Sequence, residues 1–304
     1  MNVSPGEYIF NNNGLKLRYK VAGSGPVLMV QPPGWGVGAG LYEQTFGPLE
    51  SHFTLVTHDP RGSGQSEAPA DPEEMNVGAF VEDLESLRKH LELDSFALIG
   101  HSHGGFIALN YALKYPRRLS HLVPVDTQLG VAEPQADAQR NLPELAKDPR
   151  FAAAAQTFGN PGKLESDEDM TALVDGVWPL YFFDPESEAA TVSRRQLRAS
   201  RISVAAMKAT SASNGRFLVR DRLSDIRVPT LVLVGRHDFL CSPAQAKIIH
   251  EGIKASQLIV FDNSGHLPWL EEPRAFFPAC RTFSRTEPCN LLQETNDMMF
   301  SPKR

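Results

Sequence analysis

The sequence predicts an α/β fold: a mostly parallel central sheet flanked by helices, with an inserted helical lid. Three observations lead there. Short apolar runs alternate with helical patterns over the first 126 residues, the texture of parallel strands joined by helical crossovers. From about 127 to 225 the strand pattern disappears and the segments read as helical. From 226 to 285 it returns. The expected organisation is therefore a core formed by 1–126 and 226–285, a lid at 127–225, and a frayed tail of Pro, Asn, Ser and charge at 286–304.

The elements follow in order. Val27-Leu28-Met29-Val30 is a continuous apolar run stopped by Gln31-Pro32-Pro33-Gly34, as a strand buried on both faces would be. Phe53 to His58 is a second run, stopped by Asp59-Pro60-Arg61-Gly62. Over 76–91, Val77, Phe80, Val81, Leu84, Leu87 and Leu91 recur at threes and fours, which predicts an amphipathic helix. Phe96-Ala97-Leu98-Ile99 is the next strand, followed by a glycine-flanked turn, a helix over 104–115 and a strand at Leu119–Val123. In the insertion, residues 131–190 carry twelve acidic and four basic side chains, whereas 191–225 carry eight basic and two acidic. Arg194, Arg195, Arg198 and Arg201 are expected to pair with the acidic half. Thr230–Val234 and Leu258–Phe261 restore the strand pattern, with a helical stretch between them.

Composition narrows the function classes. With 304 residues, 41% apolar and 22% charged, the chain can bury a large core and is not a disordered segment. A formal charge of −6 without a basic block argues against a nucleic-acid binder. No apolar stretch approaches the ~18 residues of a membrane span, and the first residues have neither the basic nor the apolar region of a signal peptide. Cys241, Cys280 and Cys289 are few, odd in number and without metal-ligand spacing, so reduced thiols in a cytoplasmic protein are expected. A small-molecule substrate is the expected partner, with no metal and no organic cofactor. The sequence is silent on oligomeric state.

Gly100-His101-Ser102-His103-Gly104 follows a strand directly and opens a helix directly. This is G-x-S-x-G in the strand–turn–helix setting of a nucleophile elbow, where only small residues fit two places before and after the serine. A serine hydroxyl needs a base to take its proton. Of nine histidines, His266 in Asn263-Ser264-Gly265-His266 lies just past the last strand, where a loop can carry its ring over Ser102. The orienting carboxylate should also leave a strand end. Asp238 does so in Gly235-Arg236-His237-Asp238, and Asp126, after the earlier strand, is its rival. The order Ser102, Asp238, His266 is the order of the α/β-hydrolase triad.

On four stretches the chain resembles α/β-hydrolase-fold proteins, and most the proline iminopeptidase-like branch. These are Asp59-Pro60-Arg61-Gly62-Ser63-Gly64-Gln65-Ser66, the Gly100–Gly104 elbow, Gly235-Arg236-His237-Asp238 with Pro243, and Gly265-His266 followed by Glu271 and Pro273. The resemblance implies a serine hydrolase that cleaves a small ester, lactone, thioester or amide through an acyl-enzyme. The alternative within the branch is a prolyl aminopeptidase, and the alternative outside it is a non-hydrolytic lyase or ligand receptor on the same fold.

The resemblance also implies an oxyanion hole made by the His103 N–H and a donor from the loop after the first apolar strand. Relatives carry His-Gly-Gly-Pro-Gly there, but this chain reads Gln31-Pro32-Pro33-Gly34-Trp35-Gly36. The usual donor position falls on Pro33, which has no N–H, so the second donor is expected to shift to Gly34 or Trp35, or to be missing. Trp35 would wall the acyl pocket or cover the loop. In the lid, Trp178, Tyr181 and Phe182 are expected to line an apolar pocket over Ser102, or else to pack the lid onto the core. A prolyl aminopeptidase would hold its substrate's ammonium with lid carboxylates, the candidates being Asp167, Glu168, Asp169, Asp175, Asp184, Glu186 and Glu188.

Overall fold

The computed structural model describes residues 3–198 and 202–283; the expected tail, Cys289 and Arg201 lie outside the described residues. Eight strands form one sheet: β1 (Gly6–Asn12), β2 (Leu15–Gly23), β3 (Val27–Gln31), β4 (Thr54–His58), β5 (Phe96–His101), β6 (Leu119–Val125), β7 (Thr230–Gly235) and β8 (Ser256–Phe261). Their spatial order is β1-β2-β4-β3-β5-β6-β7-β8. Pairing is antiparallel for β1 with β2 and β2 with β4, and parallel from there on.

Strands β3 to β8 lie where the apolar runs place them, to within two residues at most ends. Strands β1 and β2 go beyond the expectation from sequence. Their signal is a period of two rather than a run: Phe10, Leu17, Tyr19 and Val21 are buried, with charged residues between several of them. Asn13 (φ 54°) and Gly14 (φ 96°) make the two-residue turn between them, the positive-φ pair that such hairpins favour.

The helices are α1 (Gly40–Thr45), α2 (Val77–His90), α3 (His103–Lys114), α4 (Ala132–Leu145), α5 (Pro149–Gly159), α6 (Asp167–Val177), α7 (Glu188–Arg198), α8 (Val204–Ser213), α9 (Pro243–Gly252), α10 (Pro268–Glu271) and α11 (Pro273–Phe283). α2 starts where the Asn76 side chain accepts the Ala79 N–H and ends in Arg88-Lys89-His90, charges that suit the negative end of the helix dipole. Its buried stripe of Val77, Phe80, Val81, Leu84 and Leu87 packs on one sheet face with α3 and α9. The other face is covered by Tyr42, Phe46, Trp269 and Phe276 from around α1, α10 and α11, together with Trp178 and Leu197 of the insertion.

Five helices, α4 to α8, lie between β6 and β7. α4 and α5 form a small core of their own with Phe239. Arg194 forks onto Asp175 (2.8 and 3.1 Å), so the basic and acidic parts of the insertion pair there. The parallel register brings the C-terminal ends of β5, β6, β7 and β8 to one edge, and that edge carries Ser102, Asp126, Asp238 and His266.

Candidate active site

Ser102 stands between β5 and α3 at φ 57°, ψ −125°. This backbone conformation is strained for a residue with a Cβ, at a cost of roughly 1–3 kcal/mol. Its own N–H is tied to Val125 O on β6 (2.9 Å). A Cβ on Gly100 or Gly104 would strike the backbone of Gly104 or of Gln31. The elbow therefore needs glycine on both sides for steric reasons.

His266 follows β8. Its Nδ1 bonds Asp238 Oδ2 at 2.6 Å, its N–H donates to Tyr181 O (2.8 Å), and its carbonyl accepts His101 Nε2–H (2.8 Å). The ring packs between those of Tyr181 (5.1 Å) and His101 (4.6 Å). With Nδ1 committed to a carboxylate, Nε2 is the nitrogen left to act as a base. Ser102 and His266 line one cavity. They share no hydrogen bond in this conformation, a contact that commonly closes only on substrate binding.

Asp238 is buried, and its Oδ1 accepts the N–H groups of Leu240 and Cys241 (2.9 Å each). Burial opposes its ionisation, but the charge and hydrogen bond of His266, helped by those two N–H groups, hold its carboxyl below the usual range. The rival, Asp126, does not reach His266. It is fully buried at φ 43°, and its Oδ1 accepts Gly235 N–H (2.9 Å). Its Oδ2 has no hydrogen-bond partner among the described residues. Burial, and after it the charge of Asp238, push the Asp126 carboxyl well above its ordinary value, in the opposite direction to Asp238.

The oxyanion loop departs from expectation. Gly34 N–H donates to His103 Nδ1 (3.2 Å) instead of facing the cavity, which leaves the Trp35 N–H as the other candidate of the two expected from the sequence. His103 N–H is the first of α3 and has no acceptor within the helix. The His103 side chain is buried and its Nε2 bonds Asn214 Oδ1 (2.9 Å).

The cavity at Ser102 measures about 310 Å³. Trp35, His103, Trp178 and Tyr181 line it; Phe182 does not, being buried behind Trp178 at a ring distance of 5.7 Å. Sequence reasoning assigned no role to Tyr42 and Gln128, which also line it, or to Cys241, whose buried thiol lies beside the Ser102 hydroxyl. No Asp, Glu, Lys or Arg lines it among the described residues. Three of the lid carboxylates are employed elsewhere: Asp167 accepts Val204 N–H, Asp169 closes the capping box of α6, and Asp175 holds Arg194. A second chamber of about 680 Å³ adjoins the first across Trp35, Gln128, Phe158 and Leu240, and it too is lined without charge. One trio among the described residues, Asp238, Cys241 and His266, offers ligand atoms within 4.8 Å of one another; two of its members already bond each other.

A family model described as alpha/beta hydrolase fold matches residues 27–273. A proline iminopeptidase of Saccharolobus solfataricus is 27% identical over 297 residues, covering 93% of each chain. Among solved structures, an esterase from Rhodococcus superposes with a TM-score of 0.73 at 19% identity, over 93% of this chain and 99% of its own. The enol-lactonase of Burkholderia xenovorans does so with 0.72 at 22% identity, over 91% and 99%.

Proposed function

The chain belongs to the alpha/beta hydrolase fold family, and from that premise we propose that it is a serine hydrolase acting on small, uncharged esters, lactones, thioesters or amides with an apolar acyl part. The observation that carries this reading is the lining of the cavity at Ser102, which among the described residues holds no Asp, Glu, Lys or Arg. An ammonium or carboxylate entering it would lose its hydration with nothing of opposite sign to meet it.

In the proposed mechanism Ser102 Oγ attacks the carbonyl carbon as its proton moves to His266 Nε2. The oxygen that becomes negative is met by the N–H groups of His103 and Trp35, donors of a kind worth about 3–4 kcal/mol each in the barrier. The tetrahedral intermediate collapses, the bond to the leaving group breaks, and that group takes the proton from His266. Water, deprotonated by the same nitrogen, then attacks the acyl-enzyme and restores Ser102. Asp238 keeps the imidazole in the required tautomer and stabilises its charged form. The second chamber gives a longer substrate room beyond the partition.

The competing reading, release of N-terminal proline, is supported by the archaeal relative. It requires an ammonium site that the described lining lacks. The deciding measurement is kcat/KM on a butyrate aryl ester beside a prolyl arylamide, with Ser102→Ala as the blank. Turnover of the ester with at least a hundredfold preference is expected. Cleavage of the prolyl amide but not its N-acetyl form would establish the peptidase instead. Covalent labelling of Ser102 without turnover of either would turn the reading to a lyase or receptor.

A further inference from the structure

We propose that His103 and Asn214 form a brace that fixes the loop after β3, occupying the Gly34 N–H and turning the Trp35 N–H toward Ser102 as the second oxyanion donor. The inference rests on the hydrolase reading and concerns how this chain completes a site whose usual donor position holds Pro33.

Three bonds fix the loop. Gly34 N–H donates to His103 Nδ1 (3.2 Å), and His103 Nε2–H donates to Asn214 Oδ1 (2.9 Å). Gly34 C=O accepts the hydroxyl of Thr210 on α8 (2.8 Å). That carbonyl and the Trp35 N–H belong to one peptide unit. The chain has no cis peptide among the described residues, and in a trans unit the N–H points opposite to the C=O. With the carbonyl drawn to α8, the Trp35 N–H faces away from it, and Trp35 lines the cavity of Ser102. Gly34 has no freedom to grow a side chain, since a Cβ there would strike the ring of Phe80.

The brace works only with a neutral imidazole protonated at Nε2. A second proton would set Nδ1–H against Gly34 N–H. The surroundings enforce neutrality: His103 is 1% exposed, and it faces Gly34 N–H, Asn214 and the rings of Trp35 and Phe106. No charged side chain acts on it, and burial, only partly offset by the Asn214 bond, pushes it down to about 4. His103 and Asn214 are thus positioning residues, whereas the His103 and Trp35 N–H groups would touch substrate.

The test is Asn214→Asp, which preserves shape but places a carboxylate on His103 Nε2 and so invites the second proton. We expect its kcat on a short aryl ester to match wild type within threefold at pH 8.5. It should fall at least tenfold further than wild type by pH 6, with KM nearly constant. Adding His103→Gln removes the group that titrates and should abolish that extra acid limb. His103→Leu should lower kcat about thirtyfold or more without a comparable rise in KM. Independently of turnover, ¹⁵N spectra of wild type should show His103 neutral and Nε2-protonated from pH 5 to 8. Coincident pH profiles for Asn214→Asp and wild type, or a His103 that titrates in wild type, would overturn the brace. Failure of wild type to hydrolyse any ester would count against the hydrolase reading, while the spectra would still decide the brace.

Discussion

Asp126 and Asp238 end neighbouring strands, share one buried corner and have opposite roles. Against its burial, the charge and hydrogen bond of His266 and two backbone N–H groups hold the Asp238 carboxyl below its ordinary range; burial and the charge of Asp238 push Asp126 up, against one N–H. Asp238→Asn should therefore lower kcat by about 10³–10⁴, as loss of the tautomer-fixing carboxylate does in triads. Asp126→Asn should keep kcat within about tenfold, checked by the same ester assay. Asp126 also makes a claim on stability. Its native pKa is raised above the unfolded value near 3.9, so the native state gains relative to the unfolded state at low pH. As pH climbs from there towards the native pKa, each unit costs up to about 1.4 kcal/mol. A neutral amide in its place carries no such cost. The thermal midpoint of Asp126→Asn should gain on wild type as pH rises above the unfolded carboxyl's range, whereas parallel curves would show that the Asp126 carboxyl is not raised. Ser102, His266 and Asp238 stood out as candidates because serine-hydrolase chemistry demands a particular residue type at each strand end. The bond from Gly34 to His103 was not, since it joins residues 69 apart through a loop conformation that no local pattern encodes. For a related reason the sequence left two roles open for Phe182, of which the structure shows packing behind Trp178: an aromatic run shows which residues are apolar but not which ring turns to the cavity.

At the scale of elements, the parallel strands announced themselves as unbroken apolar runs, because both their faces are covered. The β1–β2 hairpin did not, because its polar residues break the run; Asn13-Gly14 between alternating residues was the signal to weigh. Between α10 and the lid, Glu271 plays a part that composition cannot disclose. Its Oε2 accepts Gly265 N–H (2.7 Å) and its Oε1 accepts Phe183 and Asp184 N–H (2.9 and 3.1 Å). One carboxylate thus joins the loop carrying His266 to the segment that follows Tyr181. Burial is the main force raising it to about 7, against those three donors. Glu271→Gln would set an amide N–H₂ against at least one of them, a cost of about 1–3 kcal/mol for an unmet buried donor. We expect kcat/KM to fall ten- to a hundredfold with the circular dichroism spectrum unchanged. Kinetics within twofold of wild type would show the link to be dispensable.

At the scale of the whole molecule, a chain of net charge −6 holds two chambers whose described lining carries no Asp, Glu, Lys or Arg. Selection by such an interior rests on desolvation rather than attraction. The KM for a neutral ester should change less than twofold between 0.05 and 0.5 M salt. Esters of equal size bearing a carboxylate or an ammonium should lose at least a hundredfold in kcat/KM, both read in the same assay. The sequence sets the helical stretch 127–225 apart from its flanks, but it carries no local sign of how that stretch is anchored to them. His266 N–H ends on Tyr181 O, and a Cβ on Gly265 would collide with that same stretch of backbone. The insertion and the loop after β8 are thus fitted to each other: a recombinant that receives 127–225 from another member of the family but keeps its own 262–272 joins two surfaces not shaped for one another. Successful exchange between cousins should require both segments to travel together.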